Sequence, residues 1–383
     1  MSDPLKSSLI DYQKRFGAPA SAAAEAPGRV EILGNHTDYN GGLVLAAALD
    51  RVTAIVGSRR DDGKIVLVAT DLKDEATFDA ASFQADKVHS WASYVLGVVD
   101  QLRKLGVTIG GFQAVIESNV PVGAGLSSSA ALEVSTALLL KQLYPYEIEK
   151  MELAKLCQRA ENQFVGVSSG LLDQFSSTFG AKNSLVFLDC RSFDHGTVSL
   201  GQADVSLVIC NSMASHSLTS GHYNERRAEC EEAGAHFGKK LLRDVDPTEF
   251  ERRKGELSEN ARKRAEHVFG ENQRVRDGIG AAKASDLSGL GAAMSGSHES
   301  SRTLFENSTL ELDFLVATAQ SLPGCYGARL TGGGWGGATV NLVRTDAVDE
   351  FRTELSVRYK QHTGKTPDIF VCAIGDGAHI ASV

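Results

Sequence analysis

Residues 111–140 read GFQAVIESNVPVGAGLSSSAALEVSTALLL, and this stretch decides how the N-terminal half of the chain folds. Apolar and polar side chains alternate over residues 111–119, which predicts a strand with one buried face. From Ser127 onward apolar residues recur at helical spacing, and three consecutive serines supply N-cap chemistry at the start. The stretch therefore predicts a strand, a glycine-rich loop and a helix in direct succession.

The loop inside this stretch has the chemistry of a phosphate-binding site. Gly123 and Gly125 let backbone N–H groups approach an anion closely, and the following helix directs its unpaired N–H groups and positive dipole end toward the same place. It is not a Walker A loop, because the chain contains no G-x-x-x-x-G-K-[ST] motif. The alternative is an ordinary turn between a strand and a helix, but the three consecutive hydroxyls favour the phosphate site.

Two further glycine-rich segments lie far from this loop in the sequence. Residues 28–42, GRVEILGNHTDYNGG, place hydrogen-bond donors and acceptors around glycines, which suits a small polyhydroxylated ligand; a solvated polar turn is the alternative. Residues 331–337, TGGGWGG, contain the G-x-G-x-x-G spacing of a dinucleotide fingerprint. A strand is predicted after them where that fingerprint requires a helix, which disfavours an NAD-dependent dehydrogenase. Close backbone approach to a ligand and a glycine-rich β-turn are the two interpretations left.

Two carboxylates lie between these segments, Glu161 at the end of a predicted helix and Asp173 after a loop of serines and glycines. Paired carboxylates beside a phosphate-binding loop are what Mg²⁺ and a general base require. A lone aspartate in such a loop is more often a helix cap, so the pattern alone leaves both interpretations open.

The composition limits the classes of partner. The 383 residues carry 39 Lys and Arg against 48 Asp and Glu, a formal net charge of −9, so no basic field is available for nucleic acid or an anionic membrane. No apolar run approaches the length of a membrane span, the first residues lack a secretory signal core, and the six cysteines form no C-x-x-C pair. We expect a cytoplasmic monomer without a disulfide framework or a structural zinc site.

The chain is long enough for two or three domains, and a change of composition at residues 191–201 marks the candidate boundary. We divide the chain into residues 1–195 and 196–383. Charged helices with i,i+4 pairs of opposite charge are predicted between residues 223 and 320. The other predicted elements are helices over 147–164 and 347–361 and strands over 184–188, 205–210, 326–330, 338–343 and 369–373.

Taken together, these motifs resemble the signature sequences of the GHMP kinases, and most closely those of the galactokinase family. The resemblance runs through nearly the whole chain in the family's order. The matching segments are residues 26–30 (APGRV) and 34–40 (GNHTDYN) for the sugar signature, 121–133 for the ATP loop, 330–340 for the third motif, and the shorter matches ENQF at 161–164, LDQ at 172–174 and YNERR at 223–227.

The resemblance implies an α+β fold with a ribosomal-protein-S5-domain-2-like N-terminal domain, a ferredoxin-like C-terminal domain and a site in the cleft between them. It implies phosphorylation of D-galactose at the anomeric hydroxyl by ATP, with Mg²⁺ as cofactor. Asp173 would be the catalytic base or positioning group, and Arg29 would neutralise charge on the transferred phosphoryl group. The implied contacts are Arg29, Asn35, His36, Asp38, Asp173 and Tyr223 for the sugar, Gly123, Ala124, Gly125, Leu126, Ser127, Ser128 and Ser129 for ATP, and Ser129 and Glu161 for Mg²⁺.

One departure from the family pattern bears on specificity. Galactokinases usually carry Glu where this chain has Asn35, at the implied contact to the 6-hydroxyl of the sugar. Asn loses a charge-assisted hydrogen bond, a class worth roughly 1.5–3 kcal/mol, and it removes repulsion against a 6-carboxylate. The alternatives are therefore a galacturonate 1-kinase or a sugar-1-kinase broad at C6. A catalytically silent regulator is a third, which the presence of Arg29, Ser129, Glu161 and Asp173 disfavours.

Overall fold

The computed structural model of the chain describes residues 3–84, 91–167, 169–201, 203–214 and 219–383. The strands in these residues are β1 (Ala22–Leu33), β2 (Leu43–Arg60), β3 (Lys64–Ala69), β4 (Asp74–Asp79), β5 (Gly111–Ser118), β6 (Ser184–Asp189), β7 (His195–Ser199), β8 (Val205–Asn211), β9 (Cys325–Thr331), β10 (Ala338–Arg344), β11 (Asp368–Cys372) and β12 (His379–Ala381). The helices are α1 (Pro4–Phe16), α2 (Ala92–Lys104), α3 (Ser128–Leu143), α4 (Lys150–Ala160), α5 (Leu172–Phe179), α6 (Thr219–His236), α7 (Pro247–Arg253), α8 (Glu259–Lys283), α9 (Leu287–Ser300), α10 (Leu310–Ser321) and α11 (Val348–Thr363).

Strands β1 to β7 of the first half of the chain form an eight-stranded sheet together with β12. Its strands pair in the order β12-β1-β2-β5-β3-β4, and β6 and β7 extend it from β2. All pairs are antiparallel except β3 with β5. Helices α2, α3 and α4 pack on one face around Ile55, Phe112 and Leu139, and α1 covers part of the opposite face. Because both faces are covered, β1 and β2 are buried along almost their whole length.

A second, four-stranded sheet is antiparallel and has the order β11-β8-β10-β9. Alternate residues of β8 enter two different cores. Val208 and Cys210 pack with α10 and α11, whereas Leu207 and Ile209 pack with α8 and α9. The core that contains α8 and α9 also includes Val30 of β1, so it joins the two sheets.

The α+β class is confirmed, and the predicted elements are present with small shifts of their ends. The predicted strands are found as β5, β6 and β8 to β11, and the charged helices as α6 to α10. The helix predicted over residues 147–164 is shorter, because α4 begins at Lys150 and ends in a π-helical turn, Glu161–Val165. The division at residues 195 and 196 stays a prediction; β7 and β12 both pair within the first sheet. No helix in the described part of the chain combines the length and apolar content needed to span a bilayer.

The predicted start of α3 is confirmed, but the predicted side-chain capping bond from Ser127 is wrong. Ser127 stands at the N-cap position, but its φ is 55° and, within the described residues, its side chain makes no capping hydrogen bond. Its hydroxyl instead donates a hydrogen bond to Asp173. A left-handed backbone at a residue other than glycine is uncommon, and such strain concentrates at functional sites. The loop therefore directs this serine toward a carboxylate of α5 and away from its own helix.

Candidate functional site

A cavity of about 420 Å³ opens where the two sheets meet. Its walls come from β1 and the turn after it, the loop before α5, the first turns of α6 and the glycine segment after β9. The lining residues include all six predicted sugar contacts, Arg29, Asn35, His36, Asp38, Asp173 and Tyr223, together with Glu31, Ser169, Gly170, Asn224, Gly332 and Gly333. Segments separated by as many as 300 residues therefore form one site.

An ion pair in this cavity joins β1 to the start of α5. Arg29 Nη2 lies 2.6 Å and Arg29 Nε 2.8 Å from Asp173 Oδ1, and Arg29 Nη1 donates to the Gly125 carbonyl at 2.7 Å. The other carboxylate oxygen of Asp173 accepts the hydrogen bond from Ser127. Asp173 is thus held between a buried cation and the glycine-rich loop, with about a quarter of its side chain (24%) still exposed.

A second carboxylate, Asp38, lies in the 3-10 turn Asp38–Asn40 that follows β1. Burial raises the pKa of Asp38 to about 6, and the charges of Glu31 and Asp173 act in the same direction. The loop before α5 packs directly on this carboxylate, because a Cβ atom at Gly170 would lie 1.5 Å from Asp38 Oδ2. Only glycine fits at position 170 with Asp38 in this orientation.

His36 connects the turn after β1 to the glycine segment after β9. Its Nε2 lies 2.9 Å from the Gly333 carbonyl, so this nitrogen carries the hydrogen, and Nδ1 accepts from the Tyr39 hydroxyl at 3.0 Å. Burial lowers the pKa of His36 to about 3, so the ring is neutral at physiological pH. The ring stacks on Phe305 and has its centroid 5.4 Å from that of Tyr223. These rings form an apolar wall beside the carboxylates.

The side chain of Asn35 is part of a buried hydrogen-bond network. Its Nδ2 donates to Glu31 Oε1 at 3.1 Å and to the Gly332 carbonyl at 2.8 Å. Its Oδ1 accepts from Asn307 at 2.8 Å and from Ser301 at 3.3 Å. Asn35 lines the cavity, yet its amide is already occupied by four protein partners.

The two predicted metal ligands meet at the start of α3. Ser129 Oγ donates to Glu161 Oε1 at 3.1 Å, and Ser169 and Gln174 donate to Glu161 Oε2. Burial raises the pKa of Glu161 and of the neighbouring Glu133, and the negative charge of Glu161 adds to the shift at Glu133. Within the described residues Glu133 Oε1 has no hydrogen-bond partner.

This donor set fits a divalent cation by its chemistry. Oxygen ligands suit Mg²⁺, and a cation would offset the cost of desolvating two neighbouring carboxylates. The described residues contain no cluster of three or more His, Cys, Asp or Glu side chains that could hold a metal by themselves. A bound Mg²⁺ would therefore need ligands from water or from a phosphate as well.

The glycine-rich loop has the backbone that close approach to a ligand requires. Gly123 and Gly125 have φ values of 76° and 70°, which favour glycine, whereas Ala124 and Leu126 are buried and anchor the loop. A second cavity of about 630 Å³ begins at Ser128 and Ser129. It is also lined by Asp71, Leu72, Trp91, Tyr94, Val122, Leu132 and Phe164. Sequence reasoning missed this cavity because its walls come from separate elements that no motif marks.

The glycine segment after β9 approaches the glycine-rich loop, since a Cβ atom at Gly332 would lie 3.8 Å from the Gly125 carbonyl oxygen. The backbone N–H of Trp335 donates to the backbone carbonyl of Asn307 at 2.6 Å, which ties the segment to the turn after α9. The segment leads into β10, as predicted, so its G-x-G-x-x-G spacing does not open a helix. It forms a wall of the first cavity.

Sequence reasoning also missed Glu31 and Arg329. Arg329 is fully buried (0% exposed), and its Nη1 lies 2.9 Å from Glu31 Oε1. A signal was present, because each is a charged residue between two apolar neighbours in a strand: Glu31 lies between Val30 and Ile32, and Arg329 lies between Ala328 and Leu330. Charged side chains in such positions are rarely buried unless they are paired.

Comparison with known proteins adds independent findings. The family model for the N-terminal domain of GHMP kinases matches residues 93–181, that for the galactose-binding signature of galactokinases matches residues 10–59, and that for the C-terminal domain of GHMP kinases matches residues 279–361. The chain is 42% identical to a galactokinase of Roseiflexus sp. over 371 residues, 96% of this chain and 94% of that protein. It is 42% identical to a galactokinase of Haemophilus influenzae over 360 residues, 93% of this chain and 94% of that protein.

Solved structures agree with these matches. The crystal structure of Lactococcus lactis galactokinase complexed with galactose is similar with a TM-score of 0.90 and 33% identity, covering 97% of this chain and 98% of that one. The Methanococcus jannaschii mevalonate kinase is similar in fold, with a TM-score of 0.69 and 20% identity, covering 92% of this chain and 98% of that one. The predicted GHMP kinase fold, with an N-terminal and a C-terminal domain, is therefore confirmed.

Proposed function

The chain belongs to the galactokinase family of the GHMP kinases, and from that premise we propose that it transfers the γ-phosphoryl group of ATP to the anomeric hydroxyl of D-galactose, giving α-D-galactose 1-phosphate and ADP. The observation that carries the proposal is the ion pair between Arg29 and Asp173, which lies in the sugar-sized cavity and is bonded directly to the glycine-rich loop. This arrangement puts a carboxylate and a cation between a polyol site and a phosphate site.

Each residue of the ion pair has a separate role. Asp173 orients the anomeric hydroxyl and accepts its proton as the oxygen attacks phosphorus. Arg29 holds the Asp173 side chain in position through their ion pair, and it stabilises the negative charge that develops on the transferred phosphoryl group. Transfer is direct and in line, with the anomeric hydroxyl of the sugar as the nucleophile and without a phospho-enzyme intermediate. The loop from Gly123 to Ser129 holds the phosphates through its backbone N–H groups, and the second cavity accepts the nucleoside.

Mg²⁺ belongs to the proposal as the cofactor, with Ser129 and Glu161 as its protein ligands. When bound, it neutralises charge on the β- and γ-phosphate oxygens. Ser169 and Gln174 hold the second oxygen of Glu161 and so orient the carboxylate toward Ser129. A monomeric state and a cytoplasmic location also stay predictions.

The test is ADP release with Mg-ATP against galactose, galacturonate, 2-deoxygalactose, N-acetylgalactosamine and glucose. We expect galactose to have the highest kcat/KM. A preference for galacturonate would favour the galacturonate 1-kinase alternative, and equal rates with galactose and galacturonate would favour a sugar-1-kinase broad at C6. No ADP release with any sugar would favour the regulator and contradict the proposal.

Replacing Glu161 with glutamine is expected to raise the Mg²⁺ concentration required for half-maximal activity by about tenfold or more, because an uncharged amide is a weaker ligand for a hard cation. The measurement is a Mg²⁺ titration at saturating ATP and galactose. Glu152→Gln is the matched control, since Glu152 is exposed on α4 and pairs with Lys155. An unchanged Mg²⁺ requirement in Glu161→Gln would remove Glu161 from the metal site.

The pKa of Asp38 predicts opposite effects of pH on sugar binding and on stability. As the pH falls below about 6, Asp38 gains a proton and loses acceptor capacity, so KM for galactose is expected to rise several-fold between about pH 7 and pH 5, with less change in KM for ATP. The pKa of Asp38 is higher in the folded chain than its ordinary value of 3.8, so protonation of Asp38 stabilises the folded state. This contribution to the free energy of unfolding is fully present below pH 3.8 and is lost as the pH rises through about 6. Initial rates and thermal unfolding across this range check both signs. In Asp38→Asn the pH dependence of KM for galactose should be reduced, and an equal dependence in both proteins would assign it to another group.

A further inference from the structure

Besides Asp173 and Asp38, a third carboxylate, Glu31, lines the first cavity. Glu31 follows Arg29 by two residues on β1, so both side chains lie on the same face of the strand. Their Cα atoms are about 7 Å apart by strand geometry, which is comparable with the length of a pyranose. If the anomeric hydroxyl lies at Arg29 and Asp173, Glu31 lies toward the other end of the sugar.

Asn35 has no hydrogen-bonding capacity left for a ligand without breaking a contact. A primary amide offers two N–H donors and two acceptor lone pairs. Both donors are used, one on Glu31 and one on the Gly332 carbonyl, and the oxygen accepts from Asn307 and Ser301. The residue is 1% exposed, so any contact that it gave up would be a buried one.

The carboxylate of Glu31, in contrast, can accept a further hydrogen bond from a ligand. Its Oε1 accepts from Asn35 and pairs with Arg329, whereas among the described residues its Oε2 has only a 3.5 Å contact from the same amide of Asn35. A carboxylate has about four acceptor positions, so Oε2 can accept from a ligand hydroxyl in the cavity. Burial raises the pKa of Glu31, and the adjacent guanidinium of Arg329 opposes that shift. A further donor would therefore offset the cost of burying this charge.

We propose that Glu31 is the specificity-determining carboxylate of the sugar site, accepting the hydrogen bond of the 6-hydroxyl of galactose, and that Asn35 acts as its positioning residue. This inference rests on the proposed function and refines it. Glu31, two residues after Arg29, supplies the negative charge that Asn35 lacks. Asn35 and Arg329 hold the carboxylate of Glu31 in place. Consequently the amide at position 35 does not open the site to galacturonate, because a 6-carboxylate would face Glu31.

The test compares kcat/KM for galactose with kcat/KM for 6-deoxygalactose, which lacks the hydroxyl in question. In Glu31→Gln we expect the ratio of the two values to fall about tenfold or more, because only galactose loses a charge-assisted hydrogen bond. Both sugars are measured on the same preparation, so a partly unfolded fraction cancels from the ratio. Ser301→Ala is the matched control, since it removes a hydrogen bond from Asn35 without touching the cavity, and its ratio should stay within about twofold of the wild type.

An unchanged ratio in Glu31→Gln would overturn the inference and leave Glu31 as a structural partner of Arg329. If Glu31→Gln does not fold, Glu31→Asp keeps the charge but withdraws the carboxylate by one methylene, and the same fall in the ratio is expected. A wild-type protein that releases no ADP with galactose would contradict the proposed function instead. Calorimetry then measures the affinities of the wild type and of Glu31→Gln for galactose and for 6-deoxygalactose. If the two sugars differ in affinity by the same factor in both proteins, the proposed role of Glu31 is overturned.

Discussion

Replacing Asp173 with asparagine is expected to lower kcat by about 10³-fold or more while KM for ATP changes by less than about threefold. Asparagine keeps the size of the side chain but cannot accept the proton of the attacking hydroxyl, and it removes the charge that pairs with Arg29. General-base catalysis contributes about 10²–10⁴-fold, and loss of orientation adds to this. The measurement is steady-state ADP release with galactose, together with nucleotide binding in the absence of sugar.

Asp313→Asn is a close control for this variant. Asp313 accepts from the Ser308 hydroxyl and lies 3.2 Å from His298 Nε2, and its exposure (28%) is similar to that of Asp173. Asp313 lies outside the cavity, so the kcat of the Asp313→Asn variant should stay within about twofold of the wild type. Wild-type turnover in a folded Asp173→Asn protein would contradict the mechanism, because no other residue in the proposal accepts the proton.

Replacing Arg29 with methionine is the second large effect, with an expected fall in kcat/KM of about 10³-fold or more. An arginine that stabilises a transferring phosphoryl group is worth about 10³–10⁵-fold in other phosphoryl-transfer enzymes. Here the same side chain also holds Asp173 and the Gly125 carbonyl, so both the base and the loop lose a partner. Arg29→Lys restores the charge without the planar fork and should recover only part of the activity. Steady-state kinetics with both substrates varied is the measurement.

Arg264→Met separates this catalytic effect from the general cost of removing a buried arginine. Arg264 is 1% exposed and pairs with Glu229 at 2.6 Å and with Glu306 at 2.7 Å, away from the cavity. The Arg264→Met variant should have a lower thermal unfolding temperature, since two carboxylates lose their cation. Its kcat per folded molecule should stay within about twofold of the wild type. If Arg29→Met behaved in the same way, Arg29 would be structural and the proposed role in phosphoryl transfer would fail.

The order of the elements and the chemical class of the site could be predicted from local patterns. Alternation and helical spacing report which face of an element is buried. The ends of β5 and of β8 to β11 were therefore predicted to within one residue, as was the start of α3. Gly123 and Gly125 were predicted to let the backbone approach an anion closely, and their positive φ values are compatible with that role. The grouping of Arg29, His36, Asp38, Asp173 and Tyr223 in one cavity agrees with the sequence resemblance.

The tertiary structure alone decided which polar groups meet. The hydroxyl of Ser127 was predicted to cap α3 but bonds to Asp173, 46 residues later. Asn35 was predicted as a sugar contact on its own account, yet its amide is occupied by partners as distant as Gly332, 297 residues away. The physical reason is that periodicity encodes burial, a property of one element, whereas a buried polar group must find its partner on whichever element packs against it. The sequence by itself therefore determined the fold class and the kind of chemistry. The packing of β1 against β9, α9 and the turn after it decided how the polar groups pair: among the described residues Oε2 of Glu31 has only a 3.5 Å contact from Asn35, whereas the amide of Asn35 is fully occupied.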